Sequence, residues 1–521
     1  MNSHSFEQIQ PTNPEEVFPD VSWYKQIAMK RNIFTVLFSL IALTHFSQPC
    51  KEVVGYYPGW QWYDRNKLVK PSTIDYSRYT ILQYAFMNLN ADGHLLITDP
   101  WGDKNLLLGD INWSTAPAGY DTQYDFGNPD YHLPGTSLSH FAHLNNVKLL
   151  MSIGGWTQSI HFPAITSDPV KRATFIDDCL TICQLYNLDG IDIDWEYPTS
   201  SGEGNQLLTL LQELRIALDG LETSLNRELM ITAAVSANGD YMQHMPWQGL
   251  VEVLDIIQLM SYDFYGAWDP LLTHHAPLFA PAEGNPDWTC DAAVQRLLNV
   301  HGVPSDKITM GIPFYGRTQL GSSDVQLFES GNGSVDWLHF AADEGTPLYY
   351  SIVAMQDEFY FFWDDNAMAP YGISPNNFSF LTFDDTGSAE RKAEYINEHN
   401  LRGAIIWEIT GDYIETFPGS GVIESTPLAD KINEVFCAEP NEVKEIESRE
   451  IVFPNPATDV IYVKATEQIN SAHVTVFDTF GQQHSLPVRN LGNLLQMSTA
   501  SLSSGVYLLK SGSTTVRFII R

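Results

Sequence analysis

The 521 residues hold 28 lysines and arginines against 63 aspartates and glutamates, a formal charge of -35. Such a chain repels nucleic acid and anionic membrane surfaces, and a neutral substrate is easier to reconcile with it. The length exceeds one typical domain, and a hydrophobic fraction of 44% is ordinary for a globular enzyme, which excludes a disordered chain and a membrane bundle.

Residues 1–28 are polar and acidic, but Met29-Lys30-Arg31 precedes the apolar run Ile33 to Leu43 and then Ser47-Gln48-Pro49. A basic start, a short apolar stretch and a small-residue exit make a secretory signal, too short to span a bilayer. Residues 1–48 are therefore read as an N-terminal extension and signal peptide, with Met29 the true start. Of the five cysteines, none shows paired CxxC spacing or an accompanying His cluster, so no zinc site is expected. Cys179 and Cys183, one helical turn apart, read as packed thiols. Cys50 and Cys437 flank the central region and would meet on one face of it, where a disulfide is expected.

From residue 50 to 437 short apolar runs alternate with amphipathic stretches, a βα repetition that implies a parallel sheet. The expected strands are Val53–Tyr57, Thr80–Phe86, Lys148–Ile153, Gly190–Trp195, Leu229–Ser236, Asp255–Tyr262, Ile308–Phe314 and Gly403–Trp407. Eight such units predict an α/β fold, a TIM (β/α)8 barrel, in which catalytic groups sit at the carboxyl ends of strands. Asp194, Glu196, Tyr262, Asp263 and Trp407 stand at such ends. Two segments exceed a minimal barrel: an aromatic-rich loop from Ala91 to His140, and residues 317–382. The second, with strand-like Leu348–Ile352 and Glu358–Trp363, predicts an inserted α+β domain walling a cleft.

Asp189 to Glu196 carries four carboxylates in eight positions. Strand side chains alternate, so Asp192, Asp194 and Glu196 share one face and Ile191, Ile193 and Trp195 the other. Like charges so spaced cannot all ionise cheaply; a proton is shared and one pKa rises, which keeps a general acid protonated near neutral pH. Calcium would need ligands wrapped round a turn, so no metal is expected here.

Residues 438–450 are charged and lack aromatics, as a linker does. From Ile451 to Arg521 short alternating strands follow one another (Val460–Val463, His473–Phe477, Gly505–Lys510, Val516–Ile520), predicting a small β-sandwich. A carbohydrate-binding module would offer flat exposed aromatics, yet no tryptophan follows Trp407.

Asp189, Asp192, Asp194 and Glu196 complete the DxxDxDxE pattern of glycoside hydrolase family eighteen, the chitinases, which this region resembles. Ser152-Ile153-Gly154-Gly155-Trp156, Met260-Ser261-Tyr262-Asp263, Gly311 to Arg317 and Trp407 stand in the order of that family's other hallmarks. The resemblance implies hydrolysis of β-1,4-linked N-acetylglucosamine with retention, the substrate's acetamide attacking C1. Glu196 would donate the proton, Asp194 orient the acetamide, Asp192 exchange a proton with Asp194, and Tyr262 bind the acetamide oxygen. Asp189, Ser152 and Gly154 would support the site. Trp407, with Met260 beside it, would floor the scissile sugar. Asp263, Tyr197, Gly155, Trp156, Thr157, Phe86, Tyr57, Trp268 and Arg317 would line subsites, with Trp60 and Trp62 further candidates. No cofactor is implied, the partners are chitin or chito-oligosaccharides, and nothing indicates an oligomer. An endo-β-N-acetylglucosaminidase acting on N-glycans and a non-catalytic lectin are the alternatives. Residues 451–521, through Phe453-Pro454-Asn455-Pro456-Ala457, Ser504-Gly505-Val506-Tyr507 and Val516-Arg517-Phe518, resemble the C-terminal sorting domain of type IX secretion. That implies a partner in the export machinery and a secreted or surface-attached protein.

Overall fold

The computed structural model describes residues 50–322 and 325–438, and in the C-terminal region 452–453, 456–464, 474–478, 483–491, 494–511 and 514–521. The signal-like segment and most of the 438–450 linker lie outside the described residues, as do Pro454 and Asn455 of the sorting-domain opening.

Eight parallel strands carry the architecture: β1 (Glu52–Pro58), β2 (Ile81–Leu89), β3 (Lys148–Gly154), β4 (Gly190–Asp194), β5 (Met230–Ser236), β6 (Ile256–Met260), β7 (Ile308–Pro313) and β8 (Gly403–Trp407). Their hydrogen-bonded order is β1-β8-β7-β6-β5-β4-β3-β2, and β2 pairs back to β1, closing the barrel. These strands are buried on both faces, which is why they read as near-continuous apolar runs rather than clean alternations.

The inward face carries a polar belt. Gln83, Ser152, Asp192, Thr232, Gln258 and Thr309, one from each of β2 to β7, are fully buried. Ser152, Asp192 and Thr232 lie side by side in register across β3, β4 and β5. Outside, helices cover the barrel with apolar stripes. In the helix Ser201–Leu225, Leu207, Leu210, Leu211, Leu214, Leu218 and Leu221 are buried, and the Ser200 hydroxyl caps its start by accepting from Glu203 N–H. Truncating one of these leucines to alanine would cost about 2–5 kcal/mol.

Between β7 and β8 lies an antiparallel four-stranded sheet, ordered Arg317–Leu320, Ser379–Thr382, Ala369–Ser374, Tyr360–Asp364. The strand expected over Leu348–Ile352 is instead the helix Tyr349–Ala354. Tyr349 and Ile352, three residues apart, are its buried positions, and so short an apolar run fits either periodicity until its neighbours are known. The Cys50–Cys437 disulfide is present, with Cα atoms 4.9 Å apart, joining the chain two residues before β1 to the end of the helix Pro427–Phe436; Cys179 and Cys183 are buried free thiols.

The C-terminal region forms two antiparallel four-stranded sheets. Ile461, Val463, Leu495 and Met497 of one and Val476, Leu509, Phe518 and Ile520 of the other share one buried cluster, as a sandwich requires.

Candidate active site

The backbone at the top of β3 and β4 explains why the acids stand where they do. Gly154 has φ +113°, and a Cβ there would fall 2.2 Å from the Asp194 carbonyl oxygen, so only glycine lets the two strands approach. Beyond the strand end, Glu196 N–H donates to Ser159 Oγ at 2.9 Å, and that hydroxyl lies 2.9 Å from the Gly155 carbonyl.

Asp192, Asp194 and Glu196 do share the inward face, but their surroundings differ sharply. Asp192 sits in the polar belt and accepts from Tyr56 (2.9 Å), Ser152 (2.7 Å), Thr232 (2.6 Å) and Gln258 (2.7 Å). Burial raises its pKa and these four donors pull it back. Asp194 is 3% exposed, and its Oδ1 has no hydrogen-bond partner among the described residues. Burial first, then the charges of Glu196 and Asp192, push its pKa well above the usual carboxylate range. Glu196 is half-buried; burial raises it to about 7, a hydrogen bond from Tyr197 opposes the rise, and the Asp263 charge adds to it. Tyr197 stacks on Tyr241 with ring centres 4.6 Å apart.

Asp263 and Arg317, expected as separate sugar-binding groups, are joined. Arg317 clamps Asp263 with two nitrogens, at 2.5 and 2.7 Å, and the Tyr315 hydroxyl donates to the same carboxylate at 2.7 Å. Burial pushes Asp263 up, but the guanidinium overrides it and holds the group well below the usual carboxylate range. Trp268, exposed, lies over the Arg317 guanidinium at 4.7 Å. Tyr262 is held edge-on to Tyr315 at 6.1 Å, and its pKa is raised by burial and by Asp194, Asp263, Glu196 and Asp192.

Trp407, at the end of β8, stacks on Phe86 at 5.5 Å and 16°, with Tyr56 at 5.5 Å and the half-exposed Trp60 at 6.3 Å. A Cβ at Gly155 would reach within 2.7 Å of the Phe86 ring, so that glycine lets the aromatic floor form. Met260, at the end of β6, is partly exposed; Trp156 and Thr157 are exposed beyond β3. Asp189 stands at the opposite end of β4, where it accepts from Leu149 N–H (2.8 Å), contacts His143 (2.7 Å) and pairs with Arg227 (3.4 Å).

Two expected subsite residues fall elsewhere. Tyr57 is fully buried with its hydroxyl on the Val69 carbonyl at 2.8 Å, because alternation along β1 turns it outward and Tyr56 inward. Trp62 is buried with the Lys67 ammonium over its ring at 3.3 Å, a packing contact. Conversely Tyr56, Ser159, Thr232, Gln258 and Tyr315 touch the acids and were not singled out from sequence; for Thr232 and Gln258 the signal was a polar residue inside an apolar strand.

A closed parallel barrel with a row of carboxylates of raised pKa at one strand end and a cluster of aromatics at the ends of neighbouring strands has the build of a glycoside hydrolase. Residues 52–412 match the family described as Glycosyl hydrolases family 18, and residues 451–521 match the Secretion system C-terminal sorting domain. Chitinase A1 of Niallia circulans is 28% identical over 75% of this chain and 60% of its own length, and Chitinase 1 of Aphanocladium album 30% identical over 68% and 80%. The crystal structure of Ostrinia furnacalis Group IV chitinase superposes with TM-score 0.62 at 30% identity, covering 74% of this chain and 99% of that one. The chain belongs to family 18 of the glycosyl hydrolases. Its sorting domain marks it for type IX export, to be released or held at the cell surface. No helix among the described residues is long and apolar enough to cross a membrane.

Proposed function

We propose that this protein is a retaining chitinase, cleaving β-1,4-linked N-acetylglucosamine polymers with Glu196 as proton donor. One observation carries the reading: the buried Oδ1 of Asp194, without a hydrogen-bond partner among the described residues, lies beside a second acid whose pKa is raised to about 7. An orphaned carboxylate oxygen in a core is costly, and a substrate amide N–H supplies the missing donor. Glu196 protonates the glycosidic oxygen as the C1–O bond breaks, and the acetamide carbonyl of the same sugar closes on C1. Asp194, hydrogen-bonded to the acetamide N–H, stabilises the positive charge that develops there. Water, deprotonated by Glu196, then opens the oxazolinium ring with retained configuration. Asp192, on its four donors, exchanges a proton with Asp194 between steps, and Tyr262 donates to the acetamide oxygen. Trp407 and Phe86 form the floor under the reacting sugar; Met260, Tyr197, Gly155, Trp156, Thr157 and Trp268 border it. The clamped Asp263 and Arg317 set the opposite wall. Proton transfer and attack by a neighbouring amide need no cofactor, so activity is expected to survive a chelator.

Glu196→Gln should retain binding to chito-oligosaccharides while turnover falls roughly 10²–10⁴-fold, because the acid acts only in the transition state. Near-normal turnover in that variant sinks the assignment. Release of oligosaccharides from colloidal chitin, and none from N-glycans, separates this reading from an endo-β-N-acetylglucosaminidase.

A further inference from the structure

A groove of about 440 Å³ lies between the helix Tyr349–Ala354 and the inserted sheet, bordered by Val353, Gln356, Phe361, Phe362, Trp363 and Asp385. None of the residues assigned to the cleft lines it. Three of its lining residues, Phe361, Phe362 and Trp363, come from Tyr360–Asp364, the edge strand of the sheet, on which four consecutive aromatics stand open: Tyr360 is 66% exposed, Phe361 41%, Phe362 48% and Trp363 37%. Four neighbouring exposed aromatics on a sheet edge are a liability in a soluble protein unless something covers them.

The chemistry of the groove narrows the occupant. Aromatic faces offer apolar platforms, Gln356 supplies a donor and an acceptor, Asp385 an acceptor, and no lysine or arginine lines the wall. Anionic ligands are therefore disfavoured. A second copy would bring another formal charge of -35, and the acid-rich stretch Glu439 to Glu450 would repel Asp385. Sugar rings, with apolar faces and equatorial hydroxyls, match aromatic platforms edged by an amide and a carboxylate, and the volume lies in the range of small-ligand sites.

We propose that this groove and its aromatic edge form a second carbohydrate site that holds a neutral β-1,4-linked N-acetylglucosamine chain of the solid substrate, apart from the cleft. The proposal rests on the chitinase reading for the identity of the sugar. The test uses the full chain in two forms. With Glu196→Gln in place to prevent turnover, Phe361→Ala/Trp363→Ala should lower the fraction adsorbed on insoluble chitin about tenfold. With Glu196 intact, the same pair should leave kcat/KM on a soluble chromogenic chitobioside within twofold. Val353→Lys, which puts a long side chain into the groove and leaves the edge strand untouched, should do the same. Unchanged adsorption in both variants overturns the second site. A parallel fall on the soluble substrate overturns its separateness from the cleft, and a wild-type dimer that the variants dissociate, with adsorption kept, assigns the edge to self-association instead. Failure of the intact protein to cleave the soluble substrate counts against the chitinase reading, while the adsorption measurement still decides the groove.

Discussion

The ends of β4 and β6 treat carboxylates in opposite ways. At the end of β4 and just beyond it, buried Asp194 and half-buried Glu196 have no cation among the causes of their shifts, and both pKa values rise. Beyond β6, Asp263 is clamped by Arg317 and Tyr315, and its pKa falls. The same residue type thus has its pKa raised on one side and lowered on the other, and the neighbouring charges decide which: acids beside Asp194, the Arg317 guanidinium foremost beside Asp263.

The largest effect that would break this comparison is expected at Asp194. Asp194→Asn should lower kcat by roughly 10²–10³-fold, as losing one stabilising partner of a developing charge does, with the circular dichroism spectrum intact. An unfolded product would make Asp194 a structural residue. Next comes pH. As the proposed proton donor Glu196 has to be protonated to act, and burial raises its pKa to about 7, so kcat/KM should fall about tenfold per unit above that pH. A profile flat to pH 9 would contradict the assignment of the acid. Beyond β6, Arg317→Met leaves Asp263 without its counter-charge and should cost roughly 1.5–3 kcal/mol of stability, read by denaturant unfolding. The smallest effect concerns Glu408, which follows Trp407 and accepts from Thr410 N–H at 2.8 Å and Thr410 Oγ1 at 2.7 Å. Burial raises its pKa from the usual 4.5 to about 7. A raised folded-state pKa gives stability that is complete below about pH 4.5 and is lost as pH rises to about 7. Glu408→Gln, which mimics the neutral form, should therefore remove part of any fall in Tm over that interval.

The acid row was legible in the sequence because carboxylates at every second position cannot be hidden in a core without chemical use. The barrel was legible from the repeated βα texture. The phase of β1 was not: both faces of that strand are buried, so Tyr56 and Tyr57 look alike until Asp192 identifies the inward one. Leu348–Ile352 was ambiguous for a related reason, since five residues carry too little periodicity to separate a helical turn from a strand. The Asp263–Arg317 pair spans 54 positions of chain and becomes visible only once β6 and β7 lie side by side. Thr232 and Gln258 are polar positions inside apolar strands, but only the register of β4 to β6 shows that both donate to Asp192.

The Cys50–Cys437 bond has a mechanical consequence. It joins the two ends of the barrel unit, two residues before β1 and immediately after the helix Pro427–Phe436. Tension applied through the chain that follows Cys437 is thereby divided between the helix Pro427–Phe436 and the barrel's first strand, which a covalent tie holds together.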